Sequence, residues 1–165
     1  MNSEQNCENL TTFLKQVNIT QQQINTASDC RIVNKCLILT QKSYPPNKFR
    51  FRKDFKYVLA PNLTIVSPLM FYKAENLSQI FAPCVEEIQD GYKKNYEYFG
   101  AFVGTKLQNA NFKSLKLVGK HAFQHCFLKY LNESNFPLIE KINDYGFYGN
   151  PVQSVHLPHL QTIGD

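Results

Sequence analysis

At 165 residues, 43% of them hydrophobic, with thirteen Phe and nine Tyr, the chain is long and apolar enough for one domain with a real core. That composition excludes a mostly disordered chain, and no stretch approaches the roughly 20 consecutive apolar residues of a membrane span. The net charge of +5 is concentrated between Lys42 and Lys56, where six basic residues (Lys42, Lys48, Arg50, Arg52, Lys53, Lys56) stand with one acid, Asp54. Such a run is a possible contact for an acidic partner, and otherwise a solvated outer turn.

In chain order, Met1 to Glu8 are polar and acidic, without the basic start and apolar run of a secretory signal. Leu10, Phe13, Leu14 and Val17 follow at i, i+3, i+4 and i+7, the spacing of an amphipathic helix. Residues 1–32 are therefore expected to be an N-terminal helical cap over the exposed end of whatever follows. A loose tail holding Gln21, Gln22 and Gln23 is the alternative. The five cysteines (Cys7, Cys30, Cys36, Cys84, Cys126) are odd in number and contain no CxxC, which gives no support to a zinc ribbon or redox motif. Cys30 and Cys36 are near enough in sequence for a disulfide, whereas Cys84 and Cys126 read as small buried apolar residues.

From Val33 onward the apolar residues recur with a fixed spacing. Phe55, Val58, Ala60, Leu63 and Val66 stand at offsets 0, 3, 5, 8 and 11, with Pro61 at offset 6 and Phe71 at offset 16. Leu77, Ile80, Ala82, Pro83, Val85 and Ile88 repeat the pattern. Further copies begin at Leu107, Leu128 and Val152, so the steps from Phe55 are 22, 30, 21 and 24 residues. The step of 30 holds an aromatic insertion with Tyr92, Tyr96, Tyr98 and Phe99, after which the pattern resumes at Ala101-Phe102. The copy at Leu128 carries three extra residues before Phe136. A weaker copy fits Val33, Cys36, Ile38, Tyr44 and Phe49.

Periods of 20–29 residues are those of leucine-rich repeats. Offsets 3 and 5 alternate as a short one-face-buried strand requires, and the proline ends that strand because it lacks an N–H for the ladder. One copy cannot bury its apolar face alone, but stacked copies can. The fold expected is thus a leucine-rich-repeat solenoid over 33–165, of about five repeats and cut off inside a repeat at its C-terminus. Its strands are short and parallel, and its convex side is irregular or briefly helical. The terminal Gln161 to Asp165 leaves an apolar end exposed, so further repeats or a C-terminal cap are expected beyond Asp165.

The repeated form "L-x-x-I-x-x-P-x-V-x-x-I … A-F", quoted from Leu77 to Ile88 and Val118 to Phe123, resembles the BspA-type leucine-rich repeats of bacterial and protist proteins. The resemblance covers roughly residues 55–165. It implies adhesion or scaffolding through protein contacts, often at a cell surface. The sequence itself assigns no compartment. The cytoplasm is the default without a signal, and a cell surface is what the resemblance suggests.

The outward strand positions, offsets 2 and 4, form two columns on the predicted concave face. One holds Tyr57, Gln79, Asn109, Tyr130 and Ser154, and the other Leu59, Phe81, Asn111, Asn132 and His156. Solenoids use such faces for recognition, and Tyr is favoured at interfaces. The inserted loop is a second candidate surface. His121 and His125 at i, i+4 could share a helix face, but they flank the core pair Ala122-Phe123 and lack the HExxH glutamate, so no metal site is assigned. No GxGxxG, P-loop or GxSxG is present, and neither a cofactor nor an enzymatic role is expected. Five Asn-x-Ser/Thr sequons (Asn9, Asn18, Asn62, Asn76, Asn132) would matter only for an exported chain. The function expected is a non-catalytic protein-binding or adhesion scaffold with an unknown protein ligand. The weaker alternative is nucleic-acid or anionic-surface binding through segment 48–56, with Arg50, Arg52 and Lys53 among Phe49, Phe51 and Phe55.

Overall fold

Each sequence period becomes one coil, and six coils stack with their strands side by side in the computed structural model, which describes residues 9–165. Ahead of them come α1 (Leu10–Val17), α2 (Gln21–Asn25) and β1 (Arg31–Val33). The first coil contributes β2 (Cys36–Ile38), the second β3 (Tyr57–Leu59) and β4 (Ile65–Val66), and the third β5 (Gln79–Phe81) and β6 (Glu87–Ile88). A hairpin, β7 (Tyr92–Lys94) and β8 (Glu97–Phe99), leaves the third coil before it closes. The fourth coil holds β9 (Asn109–Asn111) and β10 (Leu117–Val118), the fifth β11 (Tyr130–Leu131) and β12 (Lys141–Ile142), and the sixth β13 (Ser154–Val155) and β14 (Thr162–Ile163).

The strands form two parallel stacks. In the first sheet Val58 lies opposite Ile80 and Ile80 opposite Ala110, while in a separate pair Leu131 lies opposite Val155. In the second sheet Val66, Ile88, Val118, Ile142 and Ile163 are successive partners. Offsets 3 and 11 of the sequence pattern are therefore rungs. Pairing in the first sheet is interrupted between β9 and β11, where the three extra residues of the fifth coil form an asparagine turn. Asn135 Oδ1 accepts from Asn132 N–H (2.9 Å), Asn132 Oδ1 accepts from Ser134 N–H (2.9 Å), and Asn135 Nδ2 donates to Tyr130 O (2.6 Å).

The weak first copy is a true coil, but its register begins one residue later than Val33. Cys36 pairs with Tyr57, Leu37 with Val58 and Ile38 with Leu59, which puts Leu37 and Leu39 in the core. Cys36 and Ile38 face the other way, because a one-residue slip exchanges the two faces of a strand.

One phenylalanine from each of the first five coils fills the space between the two sheets. Phe49, Phe71, Phe102, Phe123 and Phe147 stack in sequence, with centroid separations of 5.5, 5.3, 5.0 and 5.0 Å and interplanar angles of 16° or less. Phe55, Phe112 and Phe136 abut this column, mostly edge-on. On either side of each stacked ring the backbone makes a third ladder. Phe71 N–H donates to Ala101 O (2.9 Å), Phe102 N–H to Ala122 O (2.9 Å) and Phe123 N–H to Gly146 O (2.8 Å). Residues two before and two after the ring adopt positive φ in most coils, as at Leu69 and Lys73 or His121 and His125. The resulting turns carry no helix: α1 and α2 are the only helices among the described residues.

The N-terminal segment differs from the expected end cap. The edge of the first sheet is closed by β1, which pairs antiparallel with β2 through a two-residue turn, Asn34-Lys35, both with positive φ. Below it, Asp29 accepts from Thr40 N–H (2.9 Å) and from the hydroxyls of Thr40 and Tyr44. Burial opposes its ionisation, but these donors prevail and hold the carboxyl below its ordinary range. Helix α1 does not sit over the coil end. It begins at Asn9, whose side chain accepts from Thr12 N–H (3.0 Å), and ends at Asn18 in the left-handed region. Its apolar side, with Phe13, Leu14 and Val17 buried, lies on the outward face of β2, β3 and β5 against Cys36, Ile38, Leu59 and Phe81.

Replacing Phe123 by Ala removes a ring that stacks on Phe102 and Phe147 and abuts Phe112 and Phe136. The expected loss is about 3–5 kcal/mol, as for other large-to-small core changes. Denaturant unfolding measures it, and a loss below about 1 kcal/mol would contradict this register.

Candidate functional site

The outward positions expected from the sequence are in strand register over β3, β5 and β9 and, separately, over β11 and β13, and α1 covers part of the first group. Tyr57 lies opposite Gln79 and Gln79 opposite Asn109, with Leu59, Phe81 and Asn111 forming the parallel row. Leu59 and Phe81 are buried in the cluster that α1 makes with the sheet, and Phe13 meets Phe81 at 5.4 Å between centroids. Gln79 is 3% exposed, and its side-chain amide nitrogen Nε2 donates to Gln16 Oε1 of the helix (3.0 Å). Asn111 is buried as well, and Tyr57 packs partly against the helix cluster. Leu59, Gln79, Phe81 and Asn111 are thus not the solvent-facing contacts that their offsets suggested. The physical reason is that an apolar helix face needs an apolar partner, and Leu59 and Phe81 supply it.

Beyond β5 the outward face opens in part, although Asn111 of β9 is still buried. Asn109, Ser154 and His156 are exposed, Tyr130 is 40% exposed and Asn132 is half-buried. Tyr130 and Ser154 are strand partners, and His156 Nε2 lies 3.1 Å from Glu133 Oε1 on the asparagine turn. Lys113 Nζ fixes that turn from the neighbouring coil by donating to Ser134 O (2.7 Å). The result is a polar surface with one prominent aromatic ring, carried on backbone held by coil pairing.

The insertion forms a second raised surface. β7 and β8 pair antiparallel around Asn95-Tyr96, both with positive φ, and Tyr96 at the tip is 92% exposed. The hairpin is anchored by Phe99 stacked on Tyr72 (5.3 Å), by Tyr92 on Phe99 (4.9 Å) and by Tyr98 against His121 (5.0 Å). Glycine is required where it leaves and rejoins the coil: a Cβ on Gly91 would stand 2.0 Å from Phe99 O, and one on Gly100 1.9 Å from His121 O.

The basic-aromatic segment is largely consumed by the fold. Phe49 and Phe55 are core residues. Arg52 makes a two-pronged ion pair with Asp54 (3.0 and 2.6 Å), Lys53 pairs with Glu75 (2.7 Å), and Arg50 lies over Phe51 at 4.3 Å. Phe51 remains half exposed. A stacking platform needs free ring faces, and only Phe51 of the three offers one.

His121 and His125 are on turns rather than a helix. His121 is stacked on Tyr145 (5.3 Å) with Nδ1 2.7 Å from Gln124 Oε1, whereas His125 meets Tyr148 edge-on. No group of three His, Cys, Asp or Glu side chains suited to a metal occurs among the described residues. Cys30, Cys36, Cys84 and Cys126 are free thiols, so the possible Cys30–Cys36 disulfide is not formed, and Cys7 lies outside the described residues. Burial pushes the Cys36 and Cys126 thiols up to about 12. Cys84 is exposed, contrary to its expected burial, because it follows Pro83 on the turn leaving β5. The sequon asparagines serve the fold: Asn9 and Asn18 cap α1, Asn62 and Asn76 donate to Thr40 O and Lys53 O of the preceding coil, and Asn132 orders its turn.

Stacked coils of 21–30 residues, each entering on a core-facing strand and returning through an aromatic turn, define a leucine-rich-repeat solenoid. The family model of the BspA type leucine rich repeat region (6 copies) matches residues 98–165, and this part of the chain is a BspA-type leucine-rich-repeat region. The strand register continues the same coils upstream to Cys36. No curated protein and no solved structure matches the chain. No helix among the described residues is long and apolar enough to cross a membrane.

Thiol alkylation followed site by site reports on this arrangement. Among the four described thiols Cys84 reacts first, and Cys36 and Cys126 are protected. Phe13→Ala loosens α1 and accelerates labelling of Cys36 by on the order of tenfold or more, while Cys126 stays protected, because local opening is governed by local contacts. Equal acceleration at Cys126 would mean that α1 is not a separate latch.

Proposed function

We propose that the protein is a non-catalytic scaffold that binds another protein through the outward face of its first sheet, in the part that α1 leaves open. Asn109, Tyr130, Asn132, Ser154 and His156 are its contact residues, with Tyr57 at the rim. The observation that carries this reading is the change along the outward row: Ile38, Leu59 and Phe81 are apolar where the helix covers them, and Asn132 and His156 are polar where the face is accessible. A surface that is polar, rigid and centred on an exposed Tyr suits a reversible protein contact, since the ring supplies area with few rotors to freeze. Adhesion is the form of this function that the repeat class suggests, and a cell-surface setting goes with it. The exposed Tyr92 and Tyr96 of the hairpin provide a second contact surface.

The test compares affinity capture by the full chain with capture by the triple variant Tyr130→Ala, Ser154→Arg, His156→Ala. Thermal unfolding of the two should agree within a few degrees, because all three side chains are exposed or lie at the sheet rim. Partners retained by the wild type should be lost or weakened by about tenfold or more. Undiminished capture by the folded variant would refute the assignment of this face.

A further inference from the structure

A cavity of about 560 Å³ opens at the entry side of the first sheet, where the chain passes from turn to strand in successive coils. Four lysines line it: Lys35 from the β1–β2 turn, Lys53 and Lys56 from the second coil, and Lys106 from the fourth. All four are exposed. The one acid in the lining, Asp54, is already held by both prongs of Arg52. Lys53 reaches Glu75 at 2.7 Å, but Lys35, Lys56 and Lys106 have no carboxylate within ion-pair distance among the described residues. The field of this group is felt outside it: Glu75 is held below the ordinary carboxylate range by Lys53 first and by the charges of Lys106 and Lys73 as well.

Like charges gathered in a concave site raise the local potential and concentrate counter-ions there. Lysine is a point-charge partner for phosphate, with three donors that turn to suit the ligand. Ser78 and Gln108 in the same lining add hydroxyl and amide groups. The volume is in the range of small-molecule sites. The neighbouring Phe49 and Phe55 are buried in the core, so no row of open rings exists on which bases could stack.

We infer that this cavity binds a small polyanion, a compact molecule bearing two or more phosphate groups, held between Lys35, Lys56 and Lys106. The lysines come from coils more than seventy residues apart, and stacking alone brings them together. The cavity borders the Tyr57 and Asn109 end of the proposed protein-binding face through Lys56 and Gln108, but none of its lysines is a contact residue of that face, and neither proposal depends on the other.

The probe is inositol hexakisphosphate, titrated calorimetrically into the full chain at low and physiological salt. Binding is expected to weaken at higher salt, since exposed charges are screened over about 8–10 Å. The triple variant Lys35→Gln, Lys56→Gln, Lys106→Gln should lose at least about tenfold in affinity. A control of the same charge change at non-lining sites, Lys15→Gln, Lys48→Gln, Lys141→Gln, should retain binding. Vesicles containing a phosphoinositide bisphosphate, compared with neutral vesicles, decide between the two sources of the group: added co-sedimentation assigns a lipid headgroup, and titration of the free polyphosphate alone assigns a soluble one. Absence of heat with inositol hexakisphosphate, or equal losses in the two triple variants, would overturn the site. Circular dichroism establishes that each variant is folded.

Discussion

The rest of the structure depends on one spacing. Parallel strands in a sheet stand about 4.8 Å apart, and offset-stacked aromatic rings sit comfortably from about 4.5 Å upward. The Phe49–Phe71–Phe102–Phe123–Phe147 column, at 5.0 to 5.5 Å between rings, therefore matches the rise of the two sheets it lies between. Any extra residues must be accommodated outside the rung. The long third coil obeys this: its surplus goes into β7 and β8 and returns at Gly100, so that Phe102 takes its place in the column. The three extra residues of the fifth coil are likewise folded into an asparagine turn ahead of Phe136, at the expense of strand pairing between β9 and β11.

The core was legible because its positions obey two short periods at once. Val58 and Ala60 alternate as strand residues, and Val66, Ile88, Val118 and Ile142 recur at the coil repeat. The first coil was the hard case. Cys36, Leu37, Ile38 and Leu39 are all apolar, so alternation could not choose between two registers there. Only pairing with β3 decides it, because both faces of β2 are buried, one by the core and one by α1.

The seat of α1 also had a signal, although a subtle one. Amphipathic spacing reveals that Leu10, Phe13, Leu14 and Val17 seek an apolar surface, but not which one. The answer stands in the outward row: Ile38, Leu59 and Phe81 are large and apolar at positions where Asn111, Asn132 and His156 follow in later coils. The charge pattern misled in the opposite sense. A dense basic run drew attention to segment 48–56, yet within it Arg52 is paired with Asp54 and Lys53 with Glu75. Lys35 and Lys106, which no local window associates with Lys56, share a cavity with it only because the coils stack.

The placement of α1 bears directly on where a partner can bind. A helix of eight residues is marginal by itself in water, so its persistence rests on tertiary contacts. Those contacts are Phe13 on Phe81, Leu14 and Val17 in the same cluster, and the Gln79–Gln16 hydrogen bond. A ligand entering over β2, β3 or β5 would have to release this apolar set into water before gaining its own contacts, at roughly 25 cal/mol for each Å² exposed. Over β11 and β13 no such displacement is needed. The energetic ground for binding at the Tyr130 end is therefore independent of what the partner is: that is the part of the strand face a partner reaches without first unpacking the protein.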